Sequence, residues 1–413
     1  MITESRLSRV RCQEERVQQS LTPQADQADY AFAILSEYSE VQDTHDLFHT
    51  DLHFEDIPLS INEALAALSD SSLEPTVELD DEPSWAQALP SPKREFWIAG
   101  GHEELKSLED LKVFVLVPCL EVPHGHHPLK GKLICKQKRN DTGKVVHYKV
   151  RYVAKGFTQH WGIDYNKTTA PTIHLESFHS ILHITATNDW DLQQFDIKMA
   201  FLHGILPKEE TMFMEQPKGF ETPGKEDWVM HLMKSIYGMK QASQIWNQTF
   251  HNAVTQWGFK HLECKWCIYC CQSPSDSDIT IFVVYVNNIL STSSNPDNNL
   301  WFHDKLKDQW DISNLRPPKF ALGIAITHDQ PNCLISLSQT AKVNHLVEQY
   351  NQGDAHPVDT PMVAELQLHR LDKSLPIPPK ISDWIEHTPY CSLVGSLMYL
   401  AIATRPDITY AAG

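Results

Sequence analysis

The segment Ile279-Thr280-Ile281-Phe282-Val283-Val284-Tyr285-Val286-Asn287-Asn288-Ile289-Leu290 constrains the fold of this chain more than any other. It reads as two apolar strands around a tight polar turn. Asparagine tolerates the left-handed backbone such turns need, so Asn287-Asn288 is the expected corner. The surrounding pattern mixes periods. Apolar spacing predicts helices over Glu103–Leu108, Leu175–Thr187, Ser235–Trp257 and Cys391–Ala403, with Trp246, Phe250 and Trp257 as aromatic anchors of the third. Strands are expected at 192–197, 266–271 and 279–286, and more helices with one further hairpin over 300–350. This order fits an α+β fold.

A second hairpin is expected from Leu133–Arg139, a turn at Asn140-Asp141-Thr142-Gly143, and a return strand Lys144–Arg151. Between Lys130 and Lys155 there are nine Lys and Arg and one acid, Asp141. Exposed strands often carry lysine merely to block edge pairing. In an acidic chain, this density favours a surface that faces phosphates, with Lys132, Lys136, Lys138, Arg139 and Lys149 as its candidate contacts.

The chain's charge of −18 is unevenly placed. Residues 1–90 hold 19 Asp and Glu against four Arg and no Lys, which leaves residues 91–413 at −3. The first 82 residues read as an acidic, largely disordered linker with one possible helix at Ile61–Leu68, ending in Glu78-Leu79-Asp80-Asp81-Glu82. Folded structure is expected from Ser84 onward. A proline-rich link, Pro376-Ile377-Pro378-Pro379, precedes the last helix.

Nine cysteines are scattered and no signal peptide stands at Met1-Ile2-Thr3-Glu4, which reads as an intracellular, reduced chain. No apolar run reaches the ~18 residues a membrane span requires. Cys264, Cys267, Cys270 and Cys271 have zinc-like spacing, but the run around Trp266 reads as a strand, on which a spacing of three alternates faces. His124, His126 and His127 lie in an expected loop beside Pro123 and Pro128.

Several blocks occur in one order: Tyr148-Lys149-Val150-Arg151-Tyr152-Val153-Ala154-Lys155-Gly156-Phe157; Gly162-Ile163-Asp164-Tyr165; Gln194-Phe195-Asp196-Ile197-Lys198-Met199-Ala200-Phe201-Leu202-His203-Gly204; Ile236-Tyr237-Gly238-Met239-Lys240-Gln241-Ala242; the Tyr-Val-Asn-Asn turn; Leu322-Gly323-Ile324; Gly395-Ser396-Leu397-Met398-Tyr399-Leu400; and Thr404-Arg405-Pro406-Asp407. Together they resemble the reverse transcriptase of copia-type LTR retrotransposons over roughly residues 83–413. The resemblance implies a right-hand polymerase with fingers, palm and thumb, an antiparallel palm sheet, and an RNA-directed DNA polymerase activity. It places the polymerase at 83–350 and a connection segment at 351–413 that stops before an RNase H region. It implies Mg²⁺ as cofactor, and as partners an RNA or DNA primer-template, deoxynucleoside triphosphates and other products of the element's polyprotein.

By the same resemblance Asp196 is the first catalytic carboxylate and a metal ligand, and Asn287 and Asn288 stand where the family has an aspartate pair. Arg151 and Lys155 would reach the incoming triphosphate. Phe201 would act as the steric gate under the sugar, and Gln241 would line the pocket opposite the new base pair. Mg²⁺ is a hard ion that takes oxygen ligands, usually carboxylates with substrate phosphates. Two amides in place of two carboxylates take the site from a formal charge of −3 to −1. An impaired polymerase is therefore expected, the alternative being a nucleic-acid-binding remnant or a relic without function. Lys167, His174 and Ser243-Gln244 depart from the family too, where an acid, Arg and Pro-Arg are usual. Each of these changes is one G-to-A transition read from one strand or the other. That common direction points to erosion by a single mutational process.

Overall fold

The computed structural model describes residues 82–139, 144–207, 210–272, 278–314, 317–356, 358, 360–362 and 389–413. The acidic region before Glu82, the expected helix at 61–68, the turn at 140–143 and the link at 376–379 lie outside the described residues. In chain order the first elements are α1 (Trp85–Ala88), α2 (Arg94–Asp110), β1 (Phe114–Pro118), β2 (Gly131–Arg139), β3 (Val145–Ala154), α3 (Leu175–Thr187) and β4 (Asp191–Ile197). Next come β5 (Met212–Glu215), β6 (Trp228–Leu232), α4 (Ala242–Gln256), β7 (Lys260–Leu262), β8 (Lys265–Gln272), β9 (Ile279–Tyr285) and β10 (Asn288–Ser293). The last are α5 (Pro296–Gln309), β11 (Ile312–Asn314), β12 (Phe320–Ala321), β13 (Ile324–Asp329), β14 (Leu334–Ser338), α6 (Thr340–Gln349), α7 (Tyr390–Ala403) and α8 (Thr409–Ala412). The arrangement is mixed α and β with antiparallel sheets. Described residues up to Pro317 form one compact unit, and those from Pro318 onward a second.

In the first unit the basic hairpin β2–β3 forms a two-stranded sheet. Its inner face buries Cys135, Val150, Tyr152 and Ala154. Trp97 of α2 meets Tyr148 edge-on, with ring centroids 4.8 Å apart. Glycine lets the helix come this close: a Cβ on Gly100 would lie 2.4 Å from the Tyr148 carbonyl oxygen. Glu104 of the same helix is buried and accepts the Tyr152 backbone N–H at 3.1 Å.

Burial raises the Glu104 carboxyl to about 6 from 4.5, against the opposing pull of that hydrogen bond and of Arg151. The folded value lies above the unfolded one. The stability tied to this group is therefore complete below pH 4.5 and declines as pH rises to 6. Above that window its ionisation costs about 2 kcal/mol. Glu104→Gln keeps the acceptor for Tyr152, so it should remove this slope and raise stability at neutral pH by about 1–2 kcal/mol. Urea denaturation at acid and neutral pH checks it; an unchanged difference between the two would refute the assignment.

The large sheet has the order β11-β4-β10-β9-β8-β7. One face is aromatic. Phe282 stacks on Tyr269 at 5.0 Å and on Phe302 of α5 at 4.6 Å, and meets Phe250 of α4 at 5.9 Å. Ser291 and Thr292 are neighbours on β10 and so point to opposite faces. Ser291 donates to Asn299 of α5 at 2.8 Å, while Thr185 of α3 donates to Thr292 at 2.9 Å. Helices α3 and α5 thus cover opposite faces. Strand β8 carries Cys267 and Cys270 into the core. Burial pushes their thiols up to about 11 and about 12, as for structural cysteines.

A three-stranded sheet, β1-β6-β5, went unread in the sequence. Its strands have four or five residues, too few to display a period. The helix expected from Ser235 begins only at Ala242. Gly238 explains the delay. Its φ is +84°, and a Cβ there would lie 2.2 Å from the Ala154 carbonyl oxygen. Residues 235–241 are a turn pressed against the end of β3. In the second unit, β12, β13 and β14 form a sheet, Tyr399 of α7 donates to the Leu322 carbonyl, and Thr404 donates to Gln339 at 2.8 Å. No helix among the described residues is long and apolar enough to cross a membrane.

Candidate active site and nucleic-acid interface

Strand β4 lies beside β10 in a register that puts Asp196 opposite Asn288. The Ile197 backbone N–H donates to the Asn287 carbonyl at 2.9 Å, which locks the turn onto the end of β4. The Asn287 side-chain Nδ2 donates to Asp196 Oδ1. Asn288 Nδ2 makes a long contact of 3.4 Å to Asn287 Oδ1. The three expected residues therefore form one chain of side chains.

The corner differs from the expected one. Tyr285 pairs with Asn288, so the two-residue turn is Val286-Asn287, and Asn288 already belongs to β10. The left-handed residue is Val286, at φ +55°, and neither asparagine has a positive φ. A β-branched residue resists that conformation. Trp246 holds it there: its buried indole Nε1 donates to the Val286 carbonyl at 2.6 Å.

Phe201 sits in the 3₁₀ turn Ala200–His203, five residues beyond Asp196 and just after Met199 at φ +52°. Its ring meets Tyr237 at 5.8 Å, and the Arg151 guanidinium lies over the same tyrosine at 5.1 Å. Arg151, Tyr237 and Phe201 are thus one contiguous group. Lys155, half-buried, heads the turn Gly156–Thr158, and its backbone N–H donates to Lys130 at 2.8 Å.

Gln241 is fully buried. Its Nε2 donates to the Asp164 carbonyl at 2.8 Å, and its Oε1 accepts from Gln159 at 2.9 Å. Lys240 adds a contact to the Tyr165 hydroxyl at 3.2 Å. The amide clamps the 156–165 loop and also reaches Glu210 Oε2 at 3.3 Å.

Residues opposite one another on paired strands share a face. The register sets Lys136 against Lys149, Ile134 against Arg151, Lys132 against Val153 and Lys138 against His147. Lys132, Lys136, Lys138, Lys149 and Arg151 therefore lie on one face of the hairpin. Arg139 follows a register shift at the end of β2.

Residues 112–364 match the family model described as reverse transcriptase (RNA-dependent DNA polymerase). The chain is 34% identical over 335 residues to the Retrovirus-related Pol polyprotein from transposon TNT 1-94 of Nicotiana tabacum, covering 81% of this chain and 25% of that protein. It is 32% identical over 345 residues to the Retrovirus-related Pol polyprotein from transposon RE1 of Arabidopsis thaliana, covering 82% of this chain and 22% of that one. The chain belongs to the reverse transcriptases of copia-type retrotransposons. It spans about a quarter of the length of these polyproteins. Among solved structures, the foamy viral protease-reverse transcriptase in complex with double-stranded DNA aligns with 63% of this chain and 37% of that chain, at a TM-score of 0.34 and 12% identity.

For a copia-type reverse transcriptase the donor set at the turn is poor. Asp196 is its lone carboxylate, and one of its oxygens already accepts an amide N–H from Asn287. Among the described residues no three His, Cys, Asp or Glu side chains gather into a metal-binding group. Asp311 is close in the chain's path, but it pairs with Lys198 at 3.0 Å. As they stand, these residues do not fit a pair of Mg²⁺ ions. The remaining departures are milder. Lys167 and His174 are exposed, and His174 precedes α3 without capping it. Ser243 occupies the first turn of α4, where proline is also accommodated, so this exchange leaves the helix intact.

Proposed function

We propose that this chain is the polymerase domain of a copia-type retrotransposon, built to hold an RNA or DNA primer-template and a deoxynucleoside triphosphate, with nucleotidyl transfer impaired at the metal site. In this reading the six-stranded sheet is the palm, the β2–β3 hairpin and the 156–165 loop are fingers, and α6 with the β13–β14 hairpin belongs to the thumb. The polymerase covers 83–350, and 351–413 is the connection toward an RNase H region elsewhere in the polyprotein. Arg151 and Lys155 face the triphosphate, Phe201 excludes a 2′-hydroxyl, and Lys132, Lys136, Lys138, Arg139 and Lys149 track the phosphate backbone. Gln241 holds the loop that carries Gln159 and Asp164.

One observation carries the reading. Asp196 and the Val286-Asn287 turn meet on neighbouring antiparallel strands, with an amide hydrogen bond where two like charges would otherwise need a cation. Primer extension with Mg²⁺ and with Mn²⁺, beside duplex binding across a salt series, tests both halves. Binding should weaken steeply as salt rises, because phosphate contacts release counterions. Extension should be slower than in an aspartate-restored protein by roughly a hundredfold or more. Salt-insensitive binding overturns the nucleic-acid half, and unimpaired extension overturns the metal half.

A further inference from the structure

The turn at residues 235–238 is fastened on two sides. The Ser235 backbone N–H donates to the Gly204 carbonyl at 2.8 Å, and the Ser235 hydroxyl donates to the Phe201 carbonyl. On the other side, the Ala154 backbone N–H donates to the Tyr237 carbonyl at 2.8 Å, at the end of the strand that carries Arg151. Gly156 and Gly238 meet so closely that a Cβ on Gly156 would lie 2.1 Å from the Gly238 carbonyl oxygen. The backbone under Tyr237 is thus tied both to the 3₁₀ turn of Phe201 and to β3. Its side chain repeats the connection. The ring is half-buried and packs on the same core as Leu133, Met199 and Phe201. The Arg151 guanidinium lies 5.1 Å from its centroid, and the Phe201 ring meets it at 5.8 Å and 77°. A guanidinium is attracted to the face of an aromatic ring, and a near-perpendicular pair of rings is a favoured geometry.

We propose that Tyr237 is a positioning residue for nucleotide selection: its ring holds the Arg151 guanidinium and the Phe201 ring in one fixed relation, so that a single side chain governs both the grip on a triphosphate and the exclusion of a 2′-hydroxyl. The selection rests on the roles proposed above for Arg151 and Phe201; the coupling of the two side chains does not. Arginine has a long, rotating stem, and a ring beneath its head removes much of that freedom before any phosphate arrives. A steric gate works only if it cannot yield, so the ring that supports it sets how strictly it selects. The aromatic ring carries this role, and Tyr237→Phe keeps the ring.

The test compares three full-length proteins: the native chain, Tyr237→Leu and Tyr237→Phe. Modification of Arg151 by phenylglyoxal, read by mass spectrometry without nucleotide, should rise about threefold in Tyr237→Leu and stay at the native level in Tyr237→Phe. Arg94 on α2, which is exposed, serves as the reference. Equal reactivity of Arg151 in all three proteins overturns the coupling. A rise at Arg94 that matches the rise at Arg151 also overturns it, since the fold as a whole would then have loosened. Selection is read from the same reaction with an RNA–DNA primer-template whose next template base is adenine, as the concentration of dTTP or of UTP that protects Arg151. In the native chain and in Tyr237→Phe, UTP should be needed at about tenfold higher concentration than dTTP. In Tyr237→Leu the protection by dTTP should weaken and the two concentrations should converge. A gap that persists in Tyr237→Leu overturns the selection. Raised Arg151 reactivity in Tyr237→Leu, with no protection by either nucleotide in any of the three, upholds the coupling and overturns the nucleotide roles given to Arg151 and Phe201.

Discussion

Asn287→Asp combined with Asn288→Asp is expected to raise Mg²⁺-dependent primer extension roughly a hundredfold or more. The exchanges are nearly isosteric. Aspartate suits the turn as well as asparagine does, and the left-handed position belongs to Val286 and stays untouched. Asp196→Asn on that background should abolish the gain. A second readout needs no turnover. In the double variant the Asn287 amide no longer donates to Asp196, and two carboxylates face each other instead. With a chelator present, the variant should melt several degrees below the native chain, and Mg²⁺ should abolish the difference; a shift of ~1 kcal/mol moves the midpoint of a domain this size by a few degrees. The native chain should show little response to Mg²⁺. Equal extension by the native chain and the double variant would mean that the asparagines are not the defect.

Trp246→Ala should be the most destabilising single change near the site. The side chain is 2% exposed and packs against Trp310 at 5.4 Å and Phe250 at 5.8 Å. Emptying such a position costs about 3–5 kcal/mol. The same change removes the indole hydrogen bond that holds Val286 left-handed. Trp246→Phe separates the two effects: it keeps most of the volume and loses the bond, at about 1–2 kcal/mol. Urea denaturation of both variants checks the order. Similar losses for Phe and Ala would assign the whole effect to the hydrogen bond and refute the packing argument.

The parts of this architecture that were legible in the sequence are those with a long period or a long apolar run. Helix α3 begins and ends where its spacing predicts, and β4, β8 and β9 fall within one residue of their expected spans. The meeting of Asp196 with the turn was readable because the motif blocks fix which strands must be neighbours. Tertiary contacts decided the rest. Gly238 looks like an ordinary helix residue until β3 closes on it. Val286 gives no sign in the sequence of its backbone state, since the residue that forces it, Trp246, lies 40 positions away. Gln241 sits inside a recognised motif, yet its burial depends on Gln159 and Asp164, which periodicity cannot bring to it. Tyr237 joins Phe201 to Arg151 through contacts that its place in the sequence does not signal.

The hydrogen bond from Asn287 to Asp196 also bears on the order in which a carboxylate pair could be restored here. Losing the first carboxylate from a metal cluster relieves repulsion, and an amide in its place ties the remaining acid down. Repair runs the other way. A lone return to aspartate at 287 discards that tie and sets two anions together, while Asn288 still withholds the ligand that would let a cation neutralise them. On the proposed reading, the first step back is expected to lower stability and gain no activity. On the proposed reading, exchange of aspartate for asparagine at 287 is downhill in structure and its reversal uphill.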